Sequence, residues 1–201
     1  RKHRDFDRRF LRITVTDAKG LPVAATHKTL DFYQADEEFW QAVYANGRGA
    51  VNITDVLYDD VPKSHYIGIG VPIIDETNSQ FIGMVDALVD VSAIFPVFAR
   101  LQFGTSSRIM LVKDDGTVIA APGVNLSMKM KSDEFAAVRE SVQTITGRQT
   151  GYVVADVGGS RSVIGFADTG LKQDYGNLGW VVLAAQDTRE AFAPIRVVYR
   201  I

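Results

Sequence analysis

Two carboxylates four residues apart, Asp86 and Asp90, stand in the otherwise apolar segment Gly83-Met-Val-Asp-Ala-Leu-Val-Asp-Val91. On a β-strand, where side chains alternate between faces, that spacing puts both on one face. Carboxylates in such surroundings call for partners. A ligand ammonium would serve, and so, for Asp90, would capping of a helix that starts near Ser92. Asp55 ends the preceding apolar run; it either points into the same space or builds a turn with Tyr58-Asp59. Trp40 and Tyr44 are i, i+4 neighbours on a predicted helix and share a face. A rigid aromatic pair beside a sheet can wall a small-molecule pocket, or it can simply pack on the sheet. Tyr33 precedes that helix, and Tyr66 lies on the run that begins Ser64-His65. Each could carry a phenolic hydroxyl into the cavity or leave it in water. These residues are the candidate ligand-binding set. Acids beside aromatic faces suit an amine or other cation, through ion pairing and cation–π contact.

Other chemistry finds little footing. The chain has no cysteine, which excludes disulfides, thiol catalysis and cysteine metal sites. Its histidines, His3, His27 and His65, share no i, i+4 spacing, so no metal site is expected. There is no Gly-x-Ser-x-Gly elbow, no His-Glu-x-x-His and no phosphate loop; Gly47-Arg-Gly49 and Gly158-Gly159-Ser160 read as turns. No axial ligand for a haem is evident, and no cofactor is expected. A serine triad built on His27 or His65 is a matter of space rather than spacing, which leaves an unrecognised hydrolase as an alternative. The formal charge of −2 disfavours a nucleic-acid partner held by phosphate neutralisation. No apolar run approaches the ~18 residues of a membrane span.

The elements that must hold these side chains occur twice. The chain of 201 residues, 46% hydrophobic and 23% charged, has an ordinary globular make-up. At an offset of 96, Ile13-Thr-Val-Thr-Asp-Ala-Lys-Gly20 answers Ile109-Met-Leu-Val-Lys-Asp-Asp-Gly116. Each is a strand running into a turn closed by a glycine, which supplies the positive φ. Asp36-Glu37-Glu38-Phe39 answers Ser132-Asp133-Glu134-Phe135, both reading as helix starts with a polar N-cap and acids at the positive end of the dipole. Gly83-Met-Val85 answers Gly179-Trp-Val181, and Asp90 answers Asp187 at 97. Matches in this order imply two similar units, 1–97 and 98–201. The first predicts strands at about 11–17, 21–26, 50–57, 64–74 and 80–90, a helix at about 36–45 and an exit helix at about 92–102. The second predicts strands at about 107–113, 117–121, 150–157, 161–168 and 178–186, a helix near 133–143 and a final helix at about 188–200. The fold class is α+β: two tandem PAS-like units, each a five-stranded antiparallel sheet with flanking helices. Between the copies, Phe39 matches Phe135 and reads as core. Trp40 and Tyr44 match Ala136 and Glu140, so they mark the first copy as the one with a ligand.

The strings Asp31-Phe-Tyr33-Gln-Ala-Asp36-Glu-Glu-Phe39-Trp40, Gly47-Arg-Gly49-Ala-Val-Asn-Ile-Thr-Asp55, Ile69-Gly-Val71-Pro72 and Ile82-Gly83-Met-Val-Asp-Ala-Leu-Val-Asp90, with Leu178-Gly179-Trp180-Val181-Val182, resemble a double Cache domain. The resemblance implies the non-enzymatic, extracytoplasmic (periplasmic) sensor of a membrane receptor such as a histidine kinase, chemoreceptor or diguanylate cyclase. The first choice is a histidine kinase. It implies a small-molecule ligand in the membrane-distal first unit, relay through the second unit and its last helix, membrane anchoring through flanking segments, and a homodimer. It also implies a long helix ahead of the first unit, of which the run Arg1 to about Phe10 reads as the solvated end. In amino-acid-binding members an arginine just before the helix aromatics clamps the ligand carboxylate, and an aspartate at the end of the last strand takes the amine. Asp90 matches that aspartate, but the arginine position holds Glu37. A bidentate carboxylate clamp needs a guanidinium, so the departure speaks against a plain α-amino acid and for an amine or other cation; the ligand class expected is an amine or an amino-acid-like molecule. A freestanding periplasmic solute-binding protein is the other non-enzymatic alternative.

Overall fold

The computed structural model describes residues 7–27, 31–59, 64–122, 130–143 and 150–194. The chain divides into two compact units, Arg1–Ser92 and Ala93–Ile201.

In the first unit, β1 (Phe10–Asp17) and β2 (Pro22–Ala25) form a hairpin. Then come α1 (Glu38–Tyr44), the short strands β3 (Asn52–Ile53) and β4 (Leu57–Asp59), and the long strands β5 (Ser64–Ile74) and β6 (Phe81–Asp90). The sheet runs β2-β1-β6-β5-β3, with β4 also paired to β5. The strand expected at 50–57 is therefore two strands, and the sheet has six rather than five. The break falls at Thr54, whose hydroxyl accepts the Gly68 N–H at 2.7 Å while its own N–H donates to the Gly68 carbonyl at 2.8 Å. Asp55 Oδ1 then accepts the Val56 N–H, and Val56 turns into the interior. Asp7–Arg9 form a turn into β1, with the Arg9 guanidinium paired to Asp7, rather than a helix end; residues 1–6 lie outside the described residues.

Two glycines set how closely the helical layer approaches this sheet. Gly20 closes the first hairpin at φ 81°, and a Cβ there would lie 2.5 Å from the Ala35 nitrogen, so the turn is pressed against the chain entering α1. A Cβ on Gly70 of β5 would lie 2.4 Å from Val43 Cγ2. Bare backbone at that point lets α1 seat Trp40 and Val43 against Phe81 and Met84, the core of the unit.

In the second unit a 3₁₀ turn over Ser92–Ile94 leads into α2 (Phe95–Arg100), β7 (Arg108–Lys113), β8 (Val118–Ala120) and α3 (Asp133–Gln143). The unit continues with β9 (Thr150–Val157), β10 (Ser160–Asp168), α4 (Leu171–Tyr175), β11 (Trp180–Asp187) and α5 (Thr188–Ala191). The order β8-β7-β11-β10-β9 repeats the first sheet. Ser132 caps α3 by accepting the Phe135 N–H at 3.0 Å, and Phe135, Val138 and Val142 bury one helix face against the sheet. α4 is an addition to the expected elements; it starts where Gly170 at φ 73° donates its N–H to Asp168 Oδ1. Residues 195–201 of the expected final helix lie outside the described residues. Among the described residues no helix is long and apolar enough to cross a membrane.

The last described helix is tied down by one carboxylate. Glu190 accepts the backbone N–H groups of Thr105 (2.6 Å) and Ser106 (2.8 Å) and both their hydroxyls. The Ser106 hydroxyl and these amides hold its carboxyl down at about 2, against an ordinary value of 4.5. An acid with a depressed folded-state pKa stabilises the fold above its unfolded value and loses that contribution as pH falls toward the folded one. The melting-temperature difference between the parent and Glu190→Gln should be full at pH 6 and should shrink as pH drops from about 4.5 to about 2. A difference that stays constant over this range would show that the carboxylate charge is not what holds the loop.

Candidate ligand-binding site

A cavity of about 490 Å³ opens in the first unit between α1 and the sheet. Its floor is the α1-facing side of three strands: Arg12, Thr14 and Thr16 from β1, Met84, Asp86 and Leu88 from β6, and Tyr66 and Gly68 from β5. Phe39 and Trp40 of α1 form the wall, with Thr54 and Leu57 at the β3–β4 break. Asp31, Gln34 and Glu37, from the segment entering α1, stand at the mouth. The alternation rule explains the set, since residues 12, 14, 16 and 84, 86, 88 each point to one face.

The second unit shows why the space is empty in the first. Register pairs Thr14 with Asp86, and Met110 with Leu183. It pairs Gly70 with Asp86, and Phe166 with Leu183. The second unit thus fills its floor with Met110, Val112, Ile164, Phe166 and Leu183, all buried core. At the matching places the first unit has Thr14, Thr16, Gly68, Gly70 and Asp86. Small or polar residues at core positions leave volume and unpaired valences together. In the helix the register slips by one. The caps are Glu37 and Ser132, so the buried pairs are Trp40 with Val43 and Phe135 with Val138. Trp40, not Phe39, is the counterpart of Phe135, and Phe39 stands where the second unit has Glu134.

That last exchange matters electrically. In the second unit Arg108 is held by Glu134 at 3.0 Å. In the first, Phe39 stands at the Glu134 position, and Arg12 reaches Asp86 Oδ2 at 3.5 Å instead. The Asp86 side chain is 13% exposed and that of Arg12 39%. Burial pushes the Asp86 carboxyl up from its ordinary value, against the pull of Arg12. Arg12 Nε, Thr14 Oγ1 and Asp86 Oδ1 are buried without a hydrogen-bond partner, and among the described residues they are the side-chain atoms so placed. Each such atom costs about 1–3 kcal/mol.

Of the residues the sequence singled out, the structure brings Trp40, Tyr66 and Asp86 to the cavity. Trp40 is 4% exposed, and its indole N–H donates to Thr16 Oγ1 at 3.0 Å. Tyr44 lies behind the wall, stacked on Trp40 with ring centroids 5.1 Å apart and edge-on to Phe81. Tyr33 does not line the cavity; it is 51% exposed, with its N–H on Asp31 Oδ1. Asp55 is spent on the β3–β4 turn. Asp90 is on the same strand face as Asp86 but about 13 Å farther along. There it accepts the Ser92 N–H at 2.7 Å as the chain leaves the sheet. Burial raises its pKa, but hydrogen bonds from Ser92 and Ser64 outweigh that and leave it lowered. Asp187 repeats this device, accepting the Arg189 N–H at 2.7 Å and the Ser160 hydroxyl at 2.6 Å. The carboxylate that reaches the cavity is Asp86, and the guanidinium there is Arg12, which sequence reasoning passed over. The signal was present in the unpaired copy of the Arg108–Glu134 arrangement.

Glu37 occupies the N-cap of α1 without making a capping bond, and its carboxylate gathers with those of Asp31 and Asp36 within 4.8 Å at the exposed mouth. These like charges hold the entrance at negative potential. Glu37→Ser should supply the missing cap and stabilise the unit by about 0.5–1 kcal/mol. Thermal unfolding should register it as a higher melting temperature; a fall would show that the carboxylate supports the helix through another contact.

Similar architectures are known. The ligand-binding domain of the Pseudomonas aeruginosa PAO1 amino acid chemoreceptor PctC, in complex with GABA, matches with a TM-score of 0.69 at 16% identity, over 92% of this chain and 78% of that one. The ligand-binding domain of Mlp24 with asparagine matches at 0.63 and 17%, over 93% and 72%. The extracellular domain of a candidate histidine kinase, rpHK1S-Z16, matches at 0.60 and 16%, over 92% and 73%. At these identities the likeness concerns the fold. No curated protein matches the sequence. The family model described as Cache domain spans residues 2–195, and the chain belongs to that family.

Proposed function

We propose that this chain is the extracytoplasmic sensor of a transmembrane signalling receptor, with the first unit binding a small molecule and the second relaying its presence. The observation that carries the reading is the floor exchange: the second unit packs apolar side chains where the first keeps a cavity with polar lining. The chemoreceptor and histidine-kinase domains of the same fold support it, since PctC is seen with GABA and Mlp24 with asparagine. Anchoring by flanking segments and dimerisation belong to the same reading. Binding acts by shifting an equilibrium between two arrangements of the receptor, and only a difference in affinity between the two does so.

The test is a thermal-shift screen of amino acids, amines, amides and organic acids. A ligand at a hundred times its Kd adds about 2.7 kcal/mol, on the order of 10 °C for a unit of this size. A screen in which nothing stabilises the chain overturns the reading. Asp90→Ala is the informative control: a capping residue that stands off the cavity, its loss should lower the melting temperature and leave ligand-induced shifts intact.

A further inference from the structure

The proposed binding site does not by itself fix the class of its ligand. Resting on that reading, we infer that the cavity floor is a subsite for a neutral amide edge, a carboxamide or lactam carried on a compact planar or apolar body.

The ion pair leaves part of each side chain over. Arg12 and Asp86 already neutralise each other through Nη2 and Oδ2. What is left buried without a partner is one donor, Arg12 Nε–H, one acceptor, Asp86 Oδ1, and the Thr14 hydroxyl, which can act either way. Thr14 and Asp86 are directly opposite on β1 and β6, and Arg12 is the next residue on the same face of β1. A donor beside an acceptor is the complement of an amide, whose carbonyl accepts from Nε–H and whose N–H donates to Oδ1. A ligand carboxylate is a poorer match, because the side edge of the guanidinium that would clamp it, Nε with Nη2, is half occupied by Asp86. A ligand ammonium is also a poorer match, because the carboxylate it would seek is already compensated by Arg12. Leu88 and Met84 flank the polar patch, and Phe39, Trp40 and Tyr66 stand around it, which suits a flat apolar body.

The experiment compares matched sets on the full chain by thermal shift and titration calorimetry. One set is benzamide, benzoate and benzylamine; a second is nicotinamide, nicotinate and 3-picolylamine; 2-pyrrolidone stands for lactams. The amide of a set should bind at least tenfold more tightly than its acid and its amine. Thr14→Val keeps the shape and removes the hydroxyl; Arg12→Lys keeps the charge and removes Nε–H. Each should weaken the amide about tenfold while the unliganded melting temperature of Thr14→Val stays level or rises. That second readout separates recognition from a purely structural role. The inference falls if the acid or amine binds as tightly as the amide, or if both variants keep the parent affinity. It also falls if no set member binds while other compounds of the broad screen do, an outcome that leaves the sensor reading standing. If nothing in the broad screen binds, both fall.

Discussion

Trp40→Ala should remove about 3–5 kcal/mol from the stability of the first unit, the expected cost of truncating a large buried aromatic. The indole packs with Val43, Phe81 and Met84, stacks on Tyr44 and meets Phe81 edge-on. Its loss also strands the Thr16 hydroxyl, which is buried and takes its hydrogen bond from the indole N–H. Trp40→Phe keeps one aromatic ring but loses the donor and the second ring, so it should cost less than the alanine, about 1–3 kcal/mol. Urea unfolding with an unchanged m-value is the measurement. A cost below 1 kcal/mol for Trp40→Ala would mean that the cavity relaxes around the missing wall and that the ring is not the anchor of α1.

The second large effect has the opposite sign. Giving the first unit the floor of the second, through Thr14→Met with Asp86→Leu, should raise its stability by about 2–4 kcal/mol and abolish ligand binding. Two polar atoms that are buried without partners disappear, each removal worth about 1–3 kcal/mol. Burying the new apolar side chains adds to the gain. Arg12 loses its partner, but its guanidinium is partly exposed and can turn to water, which limits the offset. Replacing a compensated pair by apolar side chains is often neutral or favourable. Neighbouring changes do not add, so the double variant itself must be melted beside the parent. A double variant that melts below the parent would make Arg12–Asp86 a structural pair and remove the ground for reading the floor as a recognition surface.

Much of the fold was legible because it is written twice. The hairpins around Gly20 and Gly116, the strands β5, β6, β10 and β11, and α3 stand close to where pattern and turn chemistry placed them. The strand at 50–57 broke because a hydroxyl, Thr54 Oγ1, takes over a ladder position, which hydrophobic pattern does not register. Of the candidate site, the residues legible in the sequence that line the cavity are Trp40, Tyr66 and Asp86. Two errors share one origin. A single offset carried through the helix matched Phe39 to Phe135, although α1 is capped one residue out of step with α3. With that slip, Trp40 looked unique and Phe39 looked like core, and the exchange of Glu134 for Phe39 that loosens Arg12 was hidden. Asp90 was the more visible acid because it ends a strand, but strand ends are where carboxylates meet backbone N–H groups, and both Asp90 and Asp187 are engaged there.

The two glycines of β5 on the cavity side differ in what they permit to evolve. At Gly70 any side chain collides with α1 at Val43, so that position is closed to change while the helix keeps its seat. At Gly68 an added Cβ would meet Thr54 Oγ1 at 3.3 Å and Phe39 Cε2 at 3.5 Å, a tight but near-ordinary contact among cavity-lining groups. A one-carbon step at residue 68 therefore narrows the chamber at the cost of a shift of a few tenths of an ångström at Thr54. Residue 68 is thus where the size of the chamber can be set, and residue 70 is where the seat of α1 is fixed.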